Sequence, residues 1–73
     1  MTTAEWLLGE FEKLPDIITS TEIASIYAVD VRTVWKWQRI GKIPRGIQTP
    51  GGHLRWHKND FLEFLRQRSH DRE

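Results

Sequence analysis

The sequence predicts a mainly α-helical fold that carries one small β-hairpin. Three observations predict it. Apolar residues recur at helical spacing in four separate segments. Thr19 and Asp30 are suited to begin two short helices that follow each other closely. Pro50-Gly51-Gly52 then interrupts the helical pattern between two short segments that suit strands. A chain of 73 residues allows one domain with one small core.

The first predicted helix covers residues 3 to 14. Thr2 or Thr3 can cap it, and Glu5 lies in its first turn, where the helix dipole favours an acid. Pro15 ends the helix, because the residue before a proline avoids the helical region. Its apolar face follows the spacing i, i+4, i+7, with one further residue beside it: Leu7, Phe11 and Leu14, and Leu8.

The second helix is predicted from a capping box. In Thr19-Ser-Thr-Glu22, the hydroxyl of Thr19 and the carboxylate of Glu22 each satisfy a free backbone N–H, which opens a helix from Ser20 to Tyr27. Its apolar face is formed by Ile23, Ile26 and Tyr27.

The third helix follows after a turn at residues 28–29. Asp30 caps it, it is predicted to run from Val31 to Ile40, and Gly41 stands just past its end, where a left-handed residue is needed. The two helices and their short connection have the order of a helix-turn-helix.

The remaining chain predicts a hairpin and a last helix. Residues 47–49 suit a strand, residues 50–52 a tight turn and residues 53–56 a returning strand. The returning strand has two possible registers: either Leu54 and Trp56 face inward, or His53 and Arg55 do. His57 is the predicted cap of the last helix, with Asp60 in its first turn and this apolar face: Phe61, Leu62, Phe64 and Leu65.

This order of elements is that of a winged helix-turn-helix with one extra helix in front. The predicted division is an N-terminal helix over residues 1–17, the winged domain over residues 18–67 and a polar tail over residues 68–73, in which the last helix is expected to fray.

Charge is strongly polarised along the chain, although the net charge is only +1. Residues 30–58 hold seven Lys or Arg and one acid, residues 1–29 hold one Lys and five acids, and residues 59–73 hold three Arg and four acids. A basic block of this kind indicates a polyanionic partner, and double-stranded DNA is the first candidate.

Three cations of this block share one side of the third helix. With a step of about 100° per residue, Arg32, Lys36 and Arg39 fall within about 60° of one another and opposite Val34. Arg32 and Thr33 are best placed for base edges, Lys36 lies one turn further, and Arg39 suits a phosphate. The alternative is an ordinary solvated basic face. Trp37 belongs to the apolar side, and Trp35, at the boundary, is expected to pack against the hairpin or the N-terminal helix.

The hairpin offers a second basic surface. Arg45 precedes its tip, and His53 and Arg55 follow it, so the tip can reach the DNA backbone or the minor groove. Glycines at positions 51 and 52 allow a close approach. The alternative is an ordinary surface turn.

The sequence lacks the residues that other classes of function require. The chain has no cysteine, and its histidines form no predicted cluster with carboxylates, so no metal or other cofactor is expected. No nucleophile–base pair or phosphate-binding loop points to an enzyme. The apolar stretches are far shorter than the roughly 20 residues of a membrane span, and a bacterial cytoplasmic location, at the nucleoid when bound to DNA, is expected.

The sequence resembles a known family at three places. Val29-Asp-Val-Arg-Thr-Val-Trp-Lys-Trp37, Gly41-Lys-Ile43, and Thr49-Pro-Gly-Gly-His53 with Arg55-Trp56 are similar to the MerR-type winged-helix domain. The likeness covers about residues 18 to 66. It is greatest to short single-domain members, which are BldC-like regulators and the excisionases (recombination directionality factors) of phages and integrative elements.

The resemblance implies a DNA-binding protein without catalysis, whose monomers bind side by side on repeated sites and often bend the DNA. It implies that the matching positions face DNA: Arg32, Thr33, Lys36, His53 and Arg55. The sequence departs from the family at Leu54, where a wing arginine is usual, and at Trp56, where a tyrosine is usual and only the indole N–H can donate. The helix at 3–14 is an addition, and the chain has neither the long dimerisation helix nor the effector-binding domain of full-length MerR regulators.

Two functions within this family are expected in order. The first is an excisionase that acts with an integrase, and the second is a transcription regulator that binds promoter repeats. A protein-interaction module built on the tryptophans would not need the basic stripe. One hypothesis for the first helix is that its acids (Glu5, Glu10 and Glu12) contact a neighbouring copy on DNA. The alternative is that the helix only enlarges the core through Leu7, Phe11 and Leu14.

Overall fold

The fold contains four helices and a three-stranded sheet in the part of the chain that can be described. The computed structural model describes the backbone of residues 3–71 and the side chains of residues 5–67. The elements follow in this order: α1 (Thr3–Glu12), β1 (Ile17–Thr19), α2 (Ser20–Tyr27), α3 (Val31–Arg39), β2 (Ile47–Gln48), β3 (Leu54–His57) and α4 (Lys58–Asp71). The predicted winged helix-turn-helix with a preceding helix is confirmed.

The helix-turn-helix forms through the local bonds that its sequence predicts. The Glu22 amide donates to the Thr19 hydroxyl at 3.1 Å, and the Glu22 carboxylate accepts from the Thr19 amide at 2.9 Å, so the capping box is complete. Ala28 ends α2 in the left-handed conformation, with φ 57°. Asp30 caps α3 by accepting from the Arg32 amide at 2.8 Å. Gly41 has the left-handed φ, 84°, that its position after α3 requires.

The sheet contains one strand more than the sequence predicts. β1 lies beside β3, and the strand order is β1-β3-β2, with both pairs antiparallel. Ile18 lies opposite Trp56, and both are buried together with Leu54. This pairing decides the register that the sequence leaves open: Leu54 and Trp56 face the core, and His53 is exposed.

The extra N-terminal helix belongs to the hydrophobic core. Phe11 is fully buried and stacks on Phe61 of α4, with ring centroids 4.4 Å apart. Leu7, Leu8 and Leu14 pack against the core, and α1 ends at Glu12, before the predicted end at Leu14. The enlarged domain is thereby confirmed for the apolar side of α1, and a stacked aromatic pair adds to the stability that burial alone supplies.

Three expectations concern the start of α1 and the bounds of α4. The predicted cap at Thr2 and the side chain of Thr3 lie outside the described residues. The backbone of α4 continues to Asp71, past residue 68, where the polar tail was expected to begin, and residues 72–73 are not described. His57 directly precedes α4, as expected for its cap position, and it is also the last residue of β3.

Candidate nucleic-acid interface

The basic stripe, which is Arg32, Lys36 and Arg39, lies on the exposed side of α3. All three residues are exposed, whereas Val34 on the opposite side is fully buried. Thr33 is half-buried at the edge of the stripe. Among the described residues, Lys36 and Arg39 form no ion pair or side-chain hydrogen bond. Their charges are therefore available to a ligand, in the arrangement by which a helix meets the major groove and its phosphates.

Arg32 differs from its neighbours because it has a partner within the chain. Its Nε lies 3.4 Å from the Asp30 carboxylate, and both side chains are largely exposed. The Arg32 backbone amide, followed by the Arg32 side chain, lowers the pKa of Asp30 below its ordinary value. An exposed pair of this kind contributes little to stability, so Arg32 can exchange it for a phosphate or a base edge.

The wing, which comprises β2, the turn and β3 (residues 47–57), presents His53 beside its tip. The Gly52 amide donates to the Thr49 carbonyl at 2.9 Å, and the Thr49 amide donates to the His53 carbonyl at 2.7 Å. Gly52 is left-handed, with φ 84°, which fits a three-residue hairpin loop. Pro50 and Gly51 form the exposed end of the turn, so the tip is narrow and close to the backbone.

Arg55 lies on the outer face of the sheet, between the two edge strands. It is paired with Ile47 on one side and with Thr19 on the other. Its Nη1 donates to the Leu54 carbonyl at 2.8 Å, which orients the side chain and occupies one of its five N–H donors. The buried Leu54 shows that position 54 belongs to the core in this protein, so the basic groups near the tip of the wing are His53 and Arg55.

Two part-buried hydrogen bonds link the wing, the connection that follows α3, and α3 itself. The Trp56 indole donates to the Pro44 carbonyl at 2.7 Å, so this N–H does not face a ligand, contrary to one option that the sequence left open. The Gly46 amide donates to the Gln38 side chain at 3.3 Å. A Cβ at Gly46 would lie 2.8 Å from Trp56 Cε2, so only glycine fits there. Arg45, exposed in this connection, is thus held between the stripe and the wing.

A notch between α2, α3 and the wing brings together residues that sequence reasoning did not combine. Trp35 lines it and is 37% exposed, so this residue lies beside the wing, which is one of the two places expected for it. Trp37, as predicted, packs on the core side, edge to face with Tyr27. The notch is lined by Thr19, Ser20, Thr21, Val31, Trp35, His53, Leu54 and Arg55. This grouping depends on the pairing of β1 with β3, and the sequence did not predict β1.

On the side of α1 and α4, three cations have partners within the chain. Lys13 bonds Glu10 at 3.0 Å, and Arg66 lies 3.8 Å from Glu12. Lys58 donates to the carbonyls of Glu12 and Leu14 at 3.3 and 3.0 Å, and it caps the end of α1. Lys58 therefore belongs to the fold, although it is part of the basic block in the sequence.

The fold and the exposed basic surface define a small winged helix-turn-helix protein of the DNA-binding class. Residues 17–69 match the family described as "Helix-turn-helix domain", and the chain belongs to that family. It is 28% identical over 58 residues to an excisionase of Enterobacteria phage phi80, and the matched region covers 70% of this chain and 89% of that relative. It is 33% identical over 61 residues to the protein YkgV of Escherichia coli strain K12, and the matched region covers 73% of this chain and 82% of that relative. No solved structure matches the chain.

Two further properties concern the described residues alone. None of the helices between residues 3 and 71 is long and apolar enough to cross a membrane. In the same part of the chain, no three His, Asp or Glu residues are placed to hold a metal ion.

Proposed function

We propose that this protein is a MerR-like excisionase that binds attachment-site DNA cooperatively, bends it and promotes integrase-mediated excision. The observation that carries the proposal is the similarity to the phage phi80 excisionase, which extends over 89% of that relative. A protein of this class acts as an architectural component without a catalytic step and without a cofactor, in the cytoplasm of a bacterial host. Its partners are double-stranded DNA, an integrase and further copies of itself placed side by side.

The exposed cations support a division of roles between helix and wing. Arg32 and Thr33, at the start of α3, are assigned to base edges, and Lys36 to the same groove one turn further. Arg39 and Arg45 are assigned to phosphates, because Arg39 is the last residue of α3 and Arg45 lies in the connection that follows it, away from the first turn of the helix, which is assigned to bases. His53 and Arg55 are assigned to the backbone or the minor groove beside the wing.

The acids of α1 support only part of the idea of contact between neighbouring copies. Glu10 and Glu12 already pair within the chain, with Lys13 and Arg66. A neighbour's basic surface would have to compete with those exposed pairs, which are weak. The head-to-tail contact is therefore proposed as a use of α1 in addition to its place in the core.

The experiment that tests the proposal is DNase footprinting on two kinds of DNA. One carries repeated sites from an integrase attachment region, and the other carries a promoter. We expect cooperative protection of the attachment region and a bend that is visible in a circular-permutation gel assay. If the protein protects only the promoter, the function is that of a BldC-like transcription regulator and the excisionase proposal is wrong.

The salt dependence of binding tests the DNA contacts themselves. With about five or six phosphates neutralised, the slope of log K against log salt should be about −5. A slope near zero would contradict binding through the basic stripe and the wing, whichever DNA is used.

A further inference from the structure

We propose that Asp30 is a positioning residue for the reading of DNA: its carboxylate holds Arg32 so that the outer end of the guanidinium meets a guanine in the major groove and is disfavoured at phosphates. This inference rests on the proposed DNA binding, and it deepens the assignment of Arg32 to base edges. It names guanine as the base that Arg32 recognises, and it gives the residue that caps α3 a role in specificity.

The first argument is the way in which the carboxylate holds the side chain of Arg32. One oxygen of Asp30, Oδ1, accepts from the Arg32 amide at 2.8 Å and from Arg32 Nε at 3.4 Å. Among the described residues, the two Nη groups of Arg32 form no hydrogen bond, and this side chain is 92% exposed. The pair thus engages the inner nitrogen of the guanidinium, and the two outer nitrogens can bind a ligand while the pair stays in place.

The second argument is the match between these two nitrogens and guanine. Two N–H donors side by side fit the O6 and N7 acceptors of guanine, and no other base offers two acceptors in the major groove. Arg32 is the second residue of α3, and the first residues of a recognition helix are those that contact base edges. A side chain that is already held in place loses less rotational freedom on binding than a free one does.

The third argument is the sign of the charge on Asp30. Asp30 is the one acid among residues 30–58, which hold seven Lys or Arg. Its carboxylate repels a phosphate that binds to Arg32, whereas the edge of guanine is uncharged and is not repelled. A surface that bound only the DNA backbone would therefore bind more tightly without this acid. The carboxylate biases Arg32 away from phosphates and towards a base.

Two simpler uses of Asp30 do not need its pairing with the side chain of Arg32. Asp30 caps α3, but asparagine and serine cap a helix about as well without a charge. A negative charge at the start of a helix also interacts favourably with the helix dipole. Both uses predict an effect of Asp30 on stability alone, whereas the proposal predicts an effect on base discrimination, so binding measurements separate them.

The first experiment identifies the base that Arg32 contacts. The full chain selects duplexes from a pool with a randomised central segment, and fluorescence anisotropy then measures the affinities. At one selected guanine, 7-deazaguanine, which lacks the N7 acceptor, should weaken wild-type binding about tenfold, the loss expected for a hydrogen bond to a charged group. Hypoxanthine keeps O6 and N7 and is the control, which should bind like guanine. Arg32→Ala should not distinguish guanine from 7-deazaguanine at this position.

The second experiment tests the charge of Asp30 with a variant that keeps the cap, Asp30→Asn. This variant should bind a duplex of mixed sequence about two- to fivefold more tightly, because a repulsive charge is removed. It should reduce the discrimination between guanine and 7-deazaguanine about threefold or more, and it should have no such effect in the Arg32→Ala background, since both residues act through one contact. Glu63→Gln, an equal change of charge on α4, is the control and should leave the discrimination unchanged.

The outcomes distinguish this inference from the proposed function. If the wild type binds no duplex of the pool, the proposed function and this inference are both wrong. If the wild type binds DNA but Arg32→Ala abolishes no guanine preference, this inference alone is wrong. If Asp30→Asn discriminates as well as the wild type, Asp30 is only a cap and the inference is again wrong. Where melting curves show that Asp30→Asn does not fold, Asp30→Ser, which also caps without a charge, takes its place.

Discussion

The two sides of this small domain use the same charged residue types in opposite ways. On the side of α1 and α4, Lys13, Lys58 and Arg66 are each bonded to a carboxylate or a backbone carbonyl. On the side of α3 and the wing, Lys36 and Arg39 have no ion pair among the described residues. The first side closes the core and the second is left for a ligand. Changes on the first side should therefore alter stability, and changes on the second should alter binding.

The largest effect is expected at Phe11, inside the paired side. Phe11→Ala removes a fully buried ring that stacks on Phe61 and should lower the free energy of unfolding by about 3–5 kcal/mol. A core of this size supplies only about 3–5 kcal/mol in total, so the variant should be largely unfolded. Circular dichroism during urea titration measures the change. Trp6→Ala, on the same helix but 46% exposed at the wild-type residue, is the control and should cost less than about 1 kcal/mol.

The next effect is expected at Gly46, in the connection between α3 and the wing. Gly46→Ala places a Cβ 2.8 Å from the ring of the buried Trp56, and the resulting displacement should cost about 1–3 kcal/mol. Gly9→Ala is the same substitution in α1, where no atom lies within 4 Å, and it should stabilise by about 0.5–1 kcal/mol. Thermal melting compares the two variants. Equal changes in both would show that Trp56 does not confine this connection.

A smaller effect is expected at Lys36, and it should appear in binding alone. Lys36→Ala removes an exposed charge of the basic stripe and should cost about 1–2 kcal/mol of DNA affinity, with the melting temperature unchanged. Contact with a phosphate would also reduce the salt slope by about one, whereas contact with a base would weaken only the specific site. Lys13→Ala, on the paired side, should leave DNA affinity unchanged. Similar losses of affinity in both variants would abolish the distinction between the two sides.

The smallest effect is expected from the titration of Asp30. Its pKa lies below the ordinary 3.8, because its carboxylate accepts from the Arg32 amide and side chain. A carboxyl whose folded pKa is lowered stabilises the fold above its unfolded pKa and loses this contribution as the pH falls through the folded value. The melting temperature of the wild type should thus fall slightly more below about pH 4 than that of Asp30→Asn, which keeps a cap without a charge. Parallel pH profiles would show that this carboxylate has no role in the acid response.

Local sequence signals predicted the helices and their connections because those signals act over a few residues. The capping box at Thr19, the cap at Asp30 and the left-handed Gly41 depend only on near neighbours in the chain. Strand β1 was missed because it has three residues and only Ile18 is buried, which is too short for an alternating pattern. Its partner, Trp56, is distant in the sequence.

The parts of the candidate site that depend on this distant pairing were also beyond the sequence. The sequence leaves open whether His53 and Arg55 or Leu54 and Trp56 face the core. The pairing of Ile18 with Trp56 in the sheet decides this. The same pairing brings the start of α2 to Arg55 and removes the Trp56 indole from the outer surface. Charge at single positions was predicted with more success, but the sequence could not tell that Lys58 closes the end of α1.

The bond from Trp56 to Pro44, together with the closely packed Gly46, has a mechanical consequence. β3 is the central strand and is hydrogen-bonded to β1, to β2 and to the connection that follows α3. These bonds hold α3 and the wing in one relative position. When a stiff body and a softer one must match shapes, the softer one adapts. If helix and wing engage neighbouring grooves together, the strain of the fit falls on the duplex, and sequences with flexible pyrimidine–purine steps would accept it most readily.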